Sequence, residues 1–272
     1  MKNLFIGLAL ACAMAGCATE KKVATEVKFV NWNLGHFSCG NGEASPIAEA
    51  DGPKQAAKYS AFIAGFKADV FGLSEYSENF TTNGSLKTSK ALFGGYAKSV
   101  GPQNGNMCNA VFFRGYPVLE RKTKLFTDRF EDAYYQAVKL DVKGTPIWFV
   151  QTHLDSHIYL EGHSKDRANQ MLQLIDDFKD EPHVVISGDF CVGIRIPGGN
   201  CFPAPEEYKV FEDAGYLLAN VNGTGTYPVE NPSQPVDNVI IKGLGIGEVH
   251  FTAPIGLSDH LAVSCKLLVY GE

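Results

Sequence analysis

The stretch VVISGDFCVG, residues 184–193, decides how this chain is read. Val184, Val185 and Ile186 form an apolar run suited to a strand buried on both faces, because β-branched side chains pack well on a pleated surface. The run ends in Gly188 and a carboxylate, Asp189, with Cys191 two residues later. A core strand that ends on an acid points to a cleft at the rim of a sheet.

The same arrangement recurs along the chain. VKFVNWNLGH alternates apolar and polar from Val27 to Leu34 and carries Asn33 at its end. DVFGLSEY closes near Glu75, and PIWFVQTHL closes near His153. VDNVIIKG opens at Asp237, and in SDHLAVSCKLLVY His260 opens the last strand. NAVFF from Asn109 and YYQAVKLDV from Tyr134 read as further strands, with Lys143-Gly144 as a hairpin turn. Residues 77–88 read as a polar loop. Helical periodicity covers residues 53–68, 164–179 and 205–214. The second of these places Ala168, Met171, Leu172, Ile175 and Phe178 on one stripe. Strands outnumber helices and several are close enough to form hairpins, so the pattern is a mixed α/β (α+β) fold with antiparallel pairing. No linker, repeat or low-complexity tract interrupts it, and residues 27–272 read as a single domain.

The chain has 272 residues, 45% of them hydrophobic, enough to bury a full core. Residues 1–16 have the flanks and short apolar run of a signal peptide. Their small-small ending before Cys17 resembles a bacterial lipobox, which makes Cys17 the candidate lipidation site. An ordinary secretory cleavage nearby is the alternative. Residues 17–26 then read as a solvated tether. This implies an exported protein, either a cell-envelope lipoprotein held at the membrane by its N-terminal lipid (periplasmic or cell-surface) or a secreted one. The net charge of −6 gives little counterion-release affinity for nucleic acid, which is therefore a disfavoured partner. No feature points to an oligomer, so a monomer is expected. Of the seven cysteines, none has CxxC spacing, which argues against a structural zinc site. Cys191 and Cys201 bracket a Gly/Pro-rich loop and are the candidate disulfide pair.

Asn33, Glu75, His153, Asp189, Asp237 and His260 are of the residue types that bind metals and move protons. If their strands share a rim, they converge. Glu75 is a hard oxygen ligand suited to Mg²⁺, with Mn²⁺ or Ca²⁺ as alternatives, since such ions leave coordination positions for water and a phosphate oxygen. Asn33 could hold a phosphate oxygen or position the metal's water without adding charge. Asp189 suits the orientation or deprotonation of an attacking water. His260, beside Asp259, suits stabilisation of charge on phosphorus. Together these describe metal-assisted hydrolysis of a phosphate ester.

The ordered set NWNLGH, DVFGLSEY, VQTHLDSH, ISGDF, VDNVIIKG and LSDH resembles the endonuclease/exonuclease/phosphatase superfamily, which includes DNase I-like nucleases, abasic-site endonucleases, inositol polyphosphate 5-phosphatases and bacterial sphingomyelinases. The resemblance spans residues 27–269. It implies a four-layer sandwich of two packed mixed β-sheets flanked by helices. By position it implies that Glu75 is the principal metal ligand, with Asp259 as a further candidate in the Ser-Asp-His motif. It implies Asn33 on the first strand, His153 at the phosphate or leaving group, Asp189 at the nucleophilic water, and Asp237 bracing His260. Arg167, followed by Gln170, is a lesser substrate-binding candidate and could equally be an exposed helical arginine. The phosphatase and sphingomyelinase branches fit the Thr-His-Leu setting of His153 best, which suggests a lipid or sugar phosphate head group; an extracellular nuclease is the alternative within the class. Among the aromatic residues, Phe202, Tyr208 and Tyr227 are candidates for substrate contact, though packing roles are the commoner use.

Two positions depart from the family pattern. Relatives read Gly-Asp-Phe-Asn where this chain has Cys191, and a thiol is a poor donor beside an amide. Asn109 or Asn200 could replace the missing donor, the site could suit another substrate, or catalysis could be lost and leave a binding lipoprotein. Gly35 stands where some nucleases carry an extra acidic ligand.

Overall fold

The structure, a computed structural model, describes residues 22–37, 47–102, 108–127, 133–154, 163–192 and 204–271. Residues 1–16, Cys17, Asn200, Cys201 and Phe202 lie outside them. Among the described residues, no helix is long and apolar enough to cross a membrane.

In chain order the elements are β1 (Val23–Asn33), α1 (Gly52–Phe66), β2 (Val70–Tyr76), α2 (Thr88–Leu92), β3 (Ala97–Val100), β4 (Cys108–Phe113), β5 (Val118–Leu125), β6 (Tyr134–Val142), β7 (Thr145–His153), α3 (His163–Asp177), β8 (Val184–Asp189), α4 (Ala204–Asp213), β9 (Leu217–Leu218), β10 (Asp237–Lys242), β11 (Gly245–Thr252) and β12 (Ala262–Tyr270). They form two six-stranded sheets, ordered β11-β12-β1-β2-β4-β3 and β5-β6-β7-β8-β10-β9. Both are mixed: β1 and β2 run parallel, as do β7 and β8, while their other neighbours are antiparallel. The β6–β7 hairpin turns at Lys143 and Gly144, both at positive φ as a tight primed turn requires.

Three apolar layers separate four structural layers. Val27, Phe29, Val111, Phe149, Val185 and Val239 interleave between the sheets, with the Phe29 and Phe149 rings 6.0 Å apart. Trp32, Phe71 and Leu73 pack against Tyr59 and Ile63 of α1. Trp148, Val150 and Ile186 pack against Met171 and Leu174 of α3 and Phe211 of α4. This is the expected sandwich. Each strand of the inner pair is apolar on both sides because one side faces the other sheet and the other faces helices.

Several elements differ from the sequence reading. β1 begins at Val23, and Val23 and Thr25–Val27 pair with β12, so residues 23–26 are strand and not tether. In α3, Leu172 is half exposed, and Leu174, which is fully buried, takes its place in the core. His260 does not open β12 but precedes it by two residues. β5 escapes a hydropathy reading because it is an edge strand rich in charge (VLERKTKL); such charge discourages edge-to-edge pairing.

Candidate active site

Strand register brings the candidate residues to one rim. In the second sheet His153 lies opposite Asp189, and Asp189 lies opposite Asp237, so the ends of β7, β8 and the start of β10 form one lateral row. In the first sheet Asn33 ends β1 alongside Ser74, next to Glu75. Face-to-face packing joins the two sets. The Asn33 amide nitrogen donates to Glu75 Oε1 and to Asp189 Oδ2, both at 3.0 Å. Asn33 is thereby a clamp across the sheets and is not left free as a phosphate donor.

Glu75 sits at φ 52 within a register shift of the β2–β4 ladder. A left-handed glutamate costs on the order of 1–3 kcal/mol, and its surroundings must hold it there. His36 Nε2 lies 2.9 Å from Glu75 Oε2, and His153 Nδ1 lies 3.8 Å from Oε1. Burial opposes ionisation of Glu75, but the His36 hydrogen bond and the neighbouring imidazoles hold it down to about 2.

Asp189 is the hub of the site. Its Oδ1 accepts the Cys191 backbone N–H at 2.8 Å. Its Oδ2 lies 3.7 Å from Nε2 of both His153 and His260, a gap that a bound oxygen atom can bridge. His260 Nδ1 meets Asp237 Oδ2 at 2.9 Å. Burial works against charge on His260, but Asp237, with Asp189 and Asp259, pushes it up to about 10. Tyr227 covers the imidazole, ring centroids 4.8 Å apart. Ser258 anchors the loop: its hydroxyl donates to the Asn33 carbonyl at 2.7 Å and accepts the His260 N–H at 3.1 Å.

Among the described residues, the ligand atoms of His153, Asp189 and Cys191, and those of Asp189, Asp237 and His260, lie within 4.8 Å of one another and could hold a cation. Glu75 is ionised, Asp259 Oδ1 and His153 Nδ1 are buried without a hydrogen-bond partner, and burial followed by the charge of Glu75 keeps Asp259 above the usual carboxylate range despite His260. A carboxylate in that position gains from a cation. Gly35, at φ 56, leaves room for Asp259: a Cβ at Gly35 would stand 2.5 Å from Asp259 Oδ1.

Four further candidates have hydrogen-bond partners of their own. Asn109 is buried in β4, and its amide nitrogen donates to the Tyr134 carbonyl at 3.1 Å. Among the described residues no hydrogen bond or ion pair joins it to the other candidates. Arg167 is buried, not exposed, and pairs with Glu207 at 3.2 and 3.3 Å, joining α3 to α4. Tyr208 is a core residue whose hydroxyl donates to the Pro235 and Val236 carbonyls. Cys191 is a free, buried thiol, donating to the Leu154 carbonyl at 3.4 Å. Burial and the Asp189 charge raise its pKa well above the ordinary value.

Residues that hydropathy did not single out also support the site. His36 is three positions beyond Asn33, and that spacing is its only sequence signal. Beneath the rim, Gln151 donates to Asn31 Oδ1 at 3.1 Å and to Ser74 Oγ at 2.9 Å, and accepts from Ser187 at 2.6 Å. Asn31 donates to the Gly188 carbonyl at 3.2 Å. These are polar side chains at inward positions of core strands, where alternation calls for apolar ones.

No family model matches the sequence, and no curated protein matches it. Solved structures do. TDP2 from D. rerio, complexed with a single-strand DNA product, aligns at TM-score 0.66 and 14% identity over 89% of this chain and 99% of that one. An endonuclease/exonuclease/phosphatase from Bacteroides vulgatus aligns at TM-score 0.64 and 16% identity over 90% of this chain and 99% of its own. The fold is that of solved endonuclease/exonuclease/phosphatase proteins. Another such protein, from Beutenbergia cavernae, aligns at TM-score 0.64 and 17% identity over 90% of this chain and 72% of its own. Each of these alignments covers about nine-tenths of this chain.

Proposed function

We propose that this chain is a divalent-metal-dependent phosphoesterase. The observation that carries the reading is the convergence of Asn33 and Glu75 from one sheet with His153, Asp189 and Asp237 from the other, completed by His260. Glu75 and Asp259 would hold the cation, Mg²⁺ or a similar ion, which when bound offsets negative charge on the phosphoryl oxygens. Asp189, with Oδ1 fixed by the Cys191 N–H and Oδ2 by Asn33, is positioned to orient an attacking water and accept its proton. His260 is a cation at neutral pH, and because Nδ1 is bound to Asp237, Nε2–H is left to donate to the phosphoryl oxygen. His153 Nδ1, without a hydrogen-bond partner and facing Glu75, is placed for the ester or its leaving group.

The acidic chain favours a small or lipid-linked phosphate ester over nucleic acid, and the N-terminal segment favours export with a lipid on Cys17. Hydrolysis of bis-p-nitrophenyl phosphate should depend on added Mg²⁺ or Mn²⁺, disappear with EDTA, and fall by at least about 10³-fold in Glu75→Ala and His260→Ala. No metal-dependent turnover across diesters, monoesters and phospholipid head groups would refute it. One observation favours a second reading, a binding lipoprotein with impaired catalysis: the Cys191 thiol is committed to Leu154 and offers nothing to a phosphate.

A further inference from the structure

We propose that His36 is a direct nitrogen ligand to the cation held at Glu75, and that it gives this site a preference for Mn²⁺ and other transition-metal ions over Mg²⁺. The inference rests on the reading of Glu75 as a cation ligand and adds a residue and a metal class to it.

The chain is built to hold His36 in place. Gly35, His36 and Phe37 all have positive φ (56, 53 and 60), and two of the three are not glycine. Non-glycine residues at such angles cost about 1 kcal/mol or more each, so the turn exists because other contacts enforce it. Asn33 Oδ1 accepts the Gly35 N–H at 2.9 Å, and the Leu34 N–H donates to the Ser74 carbonyl at 3.1 Å. The buried Phe37 ring is wedged edge-on between Tyr59 and Phe80, at 5.5 and 5.0 Å. These contacts pin the backbone on both sides of His36 and turn its imidazole onto Glu75.

The geometry suits a shared cation. His36 Nε2 and Glu75 Oε2 are 2.9 Å apart. Adjacent ligands of an octahedral ion with bonds of ~2.1 Å lie ~3.0 Å apart, so an ion can replace the shared proton with little ring movement. Both side chains keep some access to solvent, at 21% and 14% exposure, so an ion can reach them. Glu75 Oε1 is already bound to Asn33, which leaves Oε2 as the oxygen directed at His36. Imidazole binds Mn²⁺, Co²⁺ and Zn²⁺ readily, whereas Mg²⁺ favours oxygen and water.

The test is pulsed electron paramagnetic resonance of Mn²⁺ bound to the mature chain, with calorimetric titration of Mn²⁺ and Mg²⁺ on the same preparations. The wild-type spectrum should show a directly coordinated ¹⁴N that persists in His153→Gln and vanishes in His36→Gln. His36→Gln should also lower the Mn²⁺-over-Mg²⁺ affinity ratio by roughly 10-fold. Should His36→Gln fail to fold, retention of the nitrogen in His153→Gln and in His260→Gln carries the assignment by itself. A wild-type spectrum without coordinated nitrogen, or one whose nitrogen survives in folded His36→Gln, overturns it. Bis-p-nitrophenyl phosphate turnover separates the two levels. Metal-dependent turnover with an all-oxygen site removes His36 alone, whereas no Mn²⁺ binding and no turnover removes the phosphoesterase reading as well.

Discussion

Replacing Asp237 with Asn tests the electrostatics of the site with little change in shape. In the native protein Asp237 Oδ2 lies 2.9 Å from His260 Nδ1, both groups are buried, and His260 is raised from 6.5 to about 10. That interval is worth roughly 5 kcal/mol between the charged and neutral imidazole. An amide oxygen still accepts the Nδ1–H, so tautomer and orientation survive while the counter-charge is lost. Burial then acts against only the weaker pull of Asp189 and Asp259, and His260 should titrate at or below about 6.5. At pH 8 the neutral ring would outnumber the cation by roughly 30-fold, and turnover of a phosphate diester should fall by about that factor. The native pH–rate plateau should extend towards pH 10, whereas the variant's alkaline limb should begin below pH 7. Stability follows the same sign. A raised pKa contributes stability in full below the unfolded value of 6.5 and loses it as pH climbs through about 10, so native urea midpoints should fall between pH 7 and 10. The variant should lack that decline. The ¹H–¹⁵N signals of the imidazole report the titration directly. A His260 in Asp237→Asn that still titrates above pH 9, or an alkaline limb in the same place as the native one, would show that Asp237 does not set its charge.

Three further outcomes follow from the geometry. Cys191→Asn offers two donors where the thiol has one, so one can satisfy Leu154 while the other enters the cleft; φ 50 is also an angle that Asn tolerates well. Steady-state kinetics should show about a 10-fold gain, and a loss would mean that Cys191 belongs to the present site as it stands. Gly188→Ala would set a Cβ 2.0 Å from the Thr152 carbonyl at φ 156, prising β7 from β8; thermal unfolding should show a loss of about 3 kcal/mol or more, and a Tm within a degree of native would contradict it. Gln151→Leu strands Asn31, Ser74 and Ser187 between the sheets and should cost about 3 kcal/mol by urea denaturation, whereas an unchanged midpoint would mean that water replaces the amide.

Much of this was legible in the sequence because it is local. Period-two alternation marks a strand wherever one face is buried, and an unbroken apolar run marks one buried on both, so β1, β2, β4, β6, β7, β8, β10 and β12 were all readable. Their ends were readable too, since a polar group bounding an apolar run has a one-dimensional signature. Asn33, Glu75, His153, Asp189 and Asp237 each carry it, and all of them reach the rim. Local signals failed where burial is decided by distant partners. Residues 23–26 look solvated because their partners, in β12, are more than two hundred residues away in sequence. Leu172 and Leu174 differ in burial only because α3 turns one of them to the second sheet. Asn109 and Arg167 have the chemistry of site residues, but their hydrogen bonds to Tyr134 and Glu207 have no signature in the sequence.

The sequence by itself determined most of the strands and the residue types at their ends, because periodicity and polarity are properties of a few neighbouring residues; the two-sheet architecture was implied only by the family resemblance. The tertiary structure decided how they act: that Asn33 links the two sheets, that Glu75 adopts a left-handed backbone, that Asp189 sits between two histidines, and that His36 faces Glu75. Hydrogen bonds and charges act over a few ångströms in space, and strand pairing within each sheet together with packing between the sheets brings residues distant in sequence within that range.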